Sequence, residues 1–152
     1  MQKIVPFLWY DGQAEEAMNH YLSIFKNSKA GTVSRMGPDG PVFSATFTLE
    51  GQEFYALNGG PKYKFTPAVS LFVNCDGQAE VDELYTRLSA GGSEDACGWI
   101  RDKFGLSWQI IPTRMGQLMG DKNPAKAQAV MQAMLTMKKI DLAALEEAYA
   151  RG

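Results

Sequence analysis

The period of the hydrophobic pattern changes several times along the chain, and it changes in the same order twice. Residues 4–10 (Ile-Val-Pro-Phe-Leu-Trp-Tyr) are β-branched and aromatic and stop at Asp11-Gly12, which predicts a strand ending at a helix cap. Ala14, Ala17, Met18, Tyr21, Leu22 and Phe25 then recur at helical spacing and predict a helix over roughly 13–25. Alternating segments near 30–36, 42–50 and 52–58 follow, separated by Gly37-Pro38-Asp39-Gly40-Pro41 and Glu50-Gly51. After a loop over 62–67 the order restarts. Residues 68–75 predict a strand, Asp76-Gly77 a cap, and Val81, Leu84, Tyr85 and Leu88 the buried face of a second helix. Gly91-Gly92 stops that helix, and strands are expected near 98–104 and 106–112, with a short one near 94–96.

The tail has only helical periods. Asn123-Pro124 is an N-cap followed by proline at the first helical position. Ala127, Val130, Met131, Met134, Leu135 and Met137 form a wide apolar stripe, expected to pack on the sheet or on a partner chain. Asp141 is placed to cap a last helix carrying Leu142, Leu145 and Tyr149.

Asp-Gly-Gln-Ala-Glu occurs at 11–15 and again at 76–80, each time at a strand-to-helix corner. A shift of 65 positions therefore superposes the two halves and sets Phe7 on Phe72. The expected fold is α+β: duplicated βαβββ modules, the first over 1–61 and the second over 68–113, with a linker at 62–67 and a helical tail over 114–152, all in one domain. Strand parity then sorts the side chains. Val69, Leu71 and Val73, with Trp108 and Ile110, are expected beneath the helices. Val5, Phe7 and Trp9, Phe54, Ala56 and Asn58, Ser70, Phe72 and Asn74, and Ser107, Gln109 and Ile111 are expected on the other face. That face mixes aromatic and neutral polar groups, as small-molecule sites do. Its candidate ligand-binding residues are Phe7, Trp9, Asn58, Ser70, Phe72, Ser107 and Gln109.

Composition changes this picture little. With 152 residues, 45% hydrophobic and 21% charged, the chain can bury a core of its own. A net charge of −2 gives no general affinity for nucleic acid or anionic membrane. No apolar run nears the ~20 residues of a membrane span. The first residues enter a strand directly, with no room for a signal peptide, so the reading is cytoplasmic. Cys75 and Cys97 lack metal spacing and read as free thiols; Cys97, in a Gly-rich stretch, is the one placed to be reactive.

Several segments together resemble a known family: Pro6-Phe7-Leu8-Trp9-Tyr10-Asp11-Gly12, Ala56-Leu57-Asn58-Gly59-Gly60-Pro61, Cys97-Gly98-Trp99, Phe104-Gly105-Leu106-Ser107-Trp108-Gln109, and the tail from Lys126 to Leu135. With the duplicated unit they resemble the vicinal-oxygen-chelate superfamily, which includes glyoxalases, bleomycin-resistance proteins and extradiol dioxygenases. More narrowly they resemble its PhnB-like branch, labelled 3-demethylubiquinone-9 3-methyltransferase. The resemblance implies a half-open, curved mixed sheet, often within a homodimer. It also implies a divalent metal held by His and Glu on four strands. Carried over by position, those ligands fall at about Val5 or Pro6, Asn58, Ser70 and Gln109, none of them an imidazole or a carboxylate. No cofactor is therefore expected, a divalent metal included.

Other chemistry has less to stand on. The only histidine, His20, lies in the first helix as a surface or packing residue, leaving Ser70 and Ser107 without a base. The corner Asp-Gly-Gln-Ala-Glu has one glycine, unlike a dinucleotide-type turn. Arg101 and Asp102 near the last hairpin form either an acid–base pair or a solvated surface pair. The expectation is a homodimeric small-molecule-binding protein. An enzyme of the superfamily (a metal-dependent lyase or dioxygenase, or the labelled methyltransferase) stays open, as does an interaction module whose sheet face serves only dimerisation.

Overall fold

A computed structural model describes residues 1–152. The chain forms two compact units, Met1–Phe65 and Thr66–Gly152, which part inside the segment read as a linker. In the first unit, β1 (Phe7–Tyr10) leads to α1 (Ala14–Ile24), then β2 (Ser28–Arg35), β3 (Val42–Leu49) and β4 (Gln52–Asn58). The sheet order is β1-β4-β3-β2, with β1 parallel to β4 and the other pairs antiparallel. The second unit repeats this with β5 (Ser70–Cys75), α2 (Gln78–Ser89), β6 (Ser93–Glu94), β7 (Trp99–Arg101) and β8 (Ser107–Pro112), in the order β5-β8-β7-β6. Identical order and sense of pairing in both sheets are what duplication requires.

Each helix covers one face of its sheet. In α1, Ala14, Ala17, Met18, Tyr21 and Ile24 are buried over Leu8, Tyr10, Ala45, Phe47, Phe54 and Ala56. Phe47 stacks on Phe54 at 5.4 Å, and the Tyr10 and Tyr21 hydroxyls meet at 3.1 Å. In α2 the expected Val81, Leu84, Tyr85 and Leu88 are the buried set. Both glycines of the repeated pentapeptide take the left-handed backbone, with φ of +78° at Gly12 and +86° at Gly77. That explains a glycine at the same corner twice.

The aspartates of that pentapeptide do not cap the helices. Asn58 supplies the acceptor for α1, its Oδ1 taking the Ala14 N–H at 2.8 Å. At α2, Glu80 reaches back to the Asp76 N–H at 2.9 Å. Expected strand ends are trimmed as well: β1 starts at Phe7, β7 stops at Arg101 and β6 covers only Ser93–Glu94. β7 stops because Asp102, 2% exposed, turns inward. Its Oδ1 accepts from the Phe104 and Leu106 amides and its Oδ2 from the Trp108 indole. Arg101 instead donates to Asp95 at 3.1 Å, so neither form of the Arg101–Asp102 pair exists.

The tail folds into α3 (Thr113–Met119), α4 (Pro124–Met134) and α5 (Leu142–Arg151). α3 lacks a sequence signal of its own. Asn123 and Asp141 cap α4 and α5 as expected, accepting from Ala125 and Ala144. The three helices close on Ile111, Met115, Leu118, Val130, Ile140 and Leu145, with Met119, Met134 and Met137 packed alongside. The methionine stripe is thus split, because Met131 and Leu135 stay 44% and 56% exposed.

Candidate functional site

The parallel and antiparallel registers decide which residues share the face away from the helices. In the first unit, Phe7 pairs with Tyr55 and Trp9 with Leu57, whereas Leu8 and Tyr10 pair with Ala56 and Asn58. Phe54, Ala56 and Asn58 therefore belong to the helix side, contrary to the parity reading. Phe54 and Tyr55 are adjacent aromatics, so the apolar pattern permits either orientation; stacking on Phe47 selects one. Asn58 spends both ends of its amide on structure, accepting from Ala14 and donating to the Val42 carbonyl at 3.0 Å. It sits at an open cleft of about 540 Å³ with Gly12, Val42 and Phe43, where Arg35 and Glu15 pair at 3.1 Å.

Phe7 and Trp9 do share a face. Phe7 is 60% exposed and meets Tyr55 edge-on at 6.4 Å. Trp9 is half-buried: its Nε1 donates to the Gly60 carbonyl at 2.9 Å and its ring lies 4.9 Å from Tyr63. Gly59 is required there, since any Cβ would enter the Trp9 ring.

In the second unit, Ser70 pairs with Ser107, Phe72 with Gln109 and Asn74 with Ile111. Ser70, Phe72, Ser107 and Gln109 thus come together on one face. The Gln109 Nε2 donates to the Ser70 Oγ at 3.0 Å, Phe72 is 52% exposed, and Ser107 is fully buried with its hydroxyl unpartnered. Two expectations fail at the ends of these strands. Ile111 is only 4% exposed, taken into the core of the C-terminal helices, and Val69, meant for the helix side, precedes β5 and is 70% exposed.

The antiparallel pairing of β7 adds two residues that sequence reasoning missed, Trp99 opposite Gln109 and Arg101 opposite Ser107. The tripeptide Cys97-Gly98-Trp99 stood out as a motif, but only the hairpin register shows which face Trp99 joins. The groups whose protonation burial disturbs lie elsewhere. Burial pushes the Cys75 thiol up to about 12, and burial with a hydrogen bond to Glu94 raises Tyr85 above its ordinary value. Both sit on the α2 side.

Two βαβββ modules in tandem, each an open mixed sheet under one helix, define the glyoxalase-like fold of the vicinal-oxygen-chelate superfamily. Residues 2–111 match the family described as 3-demethylubiquinone-9 3-methyltransferase. A solved structure from Bacillus cereus, titled a putative 3-demethylubiquinone-9 3-methyltransferase and PhnB protein, is 38% identical, covers 73% of this chain and 99% of its own, and superposes with a TM-score of 0.69. The chain belongs to this PhnB-like family. A protein from Pseudomonas aeruginosa shares the fold at 22% identity, 74% and 98% coverage and a TM-score of 0.58. So does a fosfomycin-resistance protein from Listeria monocytogenes, solved with Mn(II), at 15% identity, 71% and 90% coverage and 0.52. No curated protein matches the chain.

The metal that this fold commonly carries does not suit the residues present. The shift of 65 sets Phe7 on Phe72, so the topological counterpart of Gln109 is Tyr55, the partner of Phe7, and not Asn58. The four carried-over positions become Val5, Tyr55, Ser70 and Gln109. An aliphatic group, a phenol, a hydroxyl and an amide are poor ligands beside imidazole or carboxylate. No group of three or more His, Cys, Asp or Glu residues is placed to hold a metal ion.

Proposed function

We propose that this protein binds a small organic molecule on the exposed sheet face through aromatic and neutral hydrogen-bonding contacts, without a resident metal, and works as a cytoplasmic homodimer. The observation that carries the reading is the Ser70–Gln109 hydrogen bond beside the exposed Phe72, at the positions where relatives of this fold would place metal ligands. The Gln109 amide and the Ser70 hydroxyl can orient a ligand, and aromatic surface supplies affinity. A homodimer accounts for the exposed Ile4 and Val69, just ahead of β1 and β5. No helix is long and apolar enough to cross a membrane.

The test is a small-molecule thermal-shift screen on untagged protein, with elemental analysis before and after chelator. Binding raises the melting temperature by mass action, so a hit with equal shifts before and after chelation is the expected result. Stoichiometric metal whose removal abolishes binding would overturn the metal-free reading. The family description favours a second reading, methyl transfer. Calorimetry with S-adenosylmethionine separates the two, and saturable binding would support the transferase.

A further inference from the structure

We propose that the β5–β8–β7 face selects a flat aromatic ring that carries an anionic oxygen group a short spacer away; this rests on the small-molecule-binding reading above. The strand register arranges six side chains in two rows. Phe72, Gln109 and Trp99 form one row and Ser70, Ser107 and Arg101 the next, because each neighbouring pair is in direct cross-strand register. Rows two residues apart are separated by ~6.6 Å, and neighbouring strands by ~4.8 Å.

The first row has an aromatic residue on each flank and an amide between them. The flanking strands stand two strand spacings, ~9.6 Å, apart, which accommodates one planar ring at van der Waals distance, ~3.5–4 Å, from both. Phe72 is exposed and Trp99 half-exposed, so both can be reached.

The second row is rich in donors and has no acid of its own. Ser70 Oγ accepts from Gln109, which leaves its O–H available as a donor. The Ser107 hydroxyl is shut off from solvent and lies beneath the row, out of a ligand's reach. Arg101 uses its Nε on Asp95, leaving the two Nη groups to make a fork. The Ser70 hydroxyl and the Arg101 guanidinium fork suit a carboxylate-like group better than an amide, because the anion's two oxygens offer acceptors to both and its charge complements the guanidinium. Asp95 offsets part of the Arg101 charge, so binding is moderate and weakens with salt.

trans-Cinnamate is the probe, titrated calorimetrically into the full-length protein. Cinnamamide keeps the ring and loses the charge; 3-cyclohexylpropanoate keeps the charge and loses the flat ring. Cinnamate is expected to bind at least tenfold tighter than either. Arg101→Gln, at an exposed position, should lose that tenfold for cinnamate and leave cinnamamide unchanged, while Trp99→Leu weakens both aryl ligands. Equal affinity for cinnamate and cinnamamide, an unaltered Arg101→Gln variant, or no cinnamate binding overturns the proposal. If the thermal-shift screen finds another ligand while cinnamate fails, only the aryl-anion inference falls. If nothing binds, the small-molecule reading falls with it.

Discussion

Asn58 was expected among ligand-binding residues and is found holding the start of α1 to β3. Its substitution separates the two roles. Asn58→Ala leaves the Ala14 N–H and the Val42 carbonyl without partners, and should cost about 1–3 kcal/mol of stability by chemical denaturation. Ligand affinity on the opposite face should stay within a factor of two of wild type. Cys75 gives a second expectation, in pH. Its thiol titrates near 9.0 when unperturbed and is held up to about 12 by burial in the folded chain. Above the unfolded value, the unfolded chain gives up a proton that the native state keeps. The contribution to stability is therefore complete below pH ~9 and is lost as pH rises from there towards ~12. Tyr85 is raised in the same direction. Urea midpoints at pH about 8 and about 10.5 should show alkaline loss of stability, and Cys75→Ala should reduce the slope between them. A thiol reagent should label Cys97, which is half-exposed, and spare Cys75 until the protein unfolds.

Among the elements, the long periodic segments were readable and the short ones were not. α2 buries the residues its 3.6-residue period nominates, α1 buries its set except for Leu22, which is half-buried while Ile24 is taken in, and two of the three tail helices begin at their nominated caps. Those signals are local, a periodicity and a side-chain acceptor next to its own backbone. β6, β7 and α3 are two, three and seven residues long, too short for a period to show. What defines them is three-dimensional packing: the hairpin lock made by the inward-turned Asp102 and the core that the tail closes on Ile111. Leu145 tests that core. Leu145→Ala, at a fully buried site, should cost about 2–5 kcal/mol, whereas Leu135→Ala at the exposed C-terminal cap of α4 should stay within about 0.5 kcal/mol. Equal effects from the two would mean that the tail packs otherwise than described.

For the whole molecule, duplication has a consequence beyond symmetry of description. Each unit places its first strand at a sheet edge, and the 65-residue shift relates the exposed apolar residues that lead into it, Ile4 with Val69, at 86% and 70% exposure. An unpaired edge carrying apolar side chains favours association with another chain. Light scattering should therefore give twice the chain mass, and a double Ile4→Asp, Val69→Asp variant should shift towards the monomer without losing its helical signal. A monomeric wild type at high concentration would sink the homodimer.

The repeated Asp-Gly-Gln-Ala-Glu, most of the buried faces of α1 and α2, and the order of the longer elements were determined by the sequence alone. Each rests on residue identity or on a period that one segment carries by itself. The tertiary structure decided which face Phe54, Tyr55 and Asn58 present, why Ile111 is withdrawn from the open face, and that Trp99 and Arg101 stand beside Gln109 and Ser107. A strand's alternation states that neighbours point to opposite sides and leaves open which side is which. Pairing to another strand, and the packing that pairing permits, chooses between them.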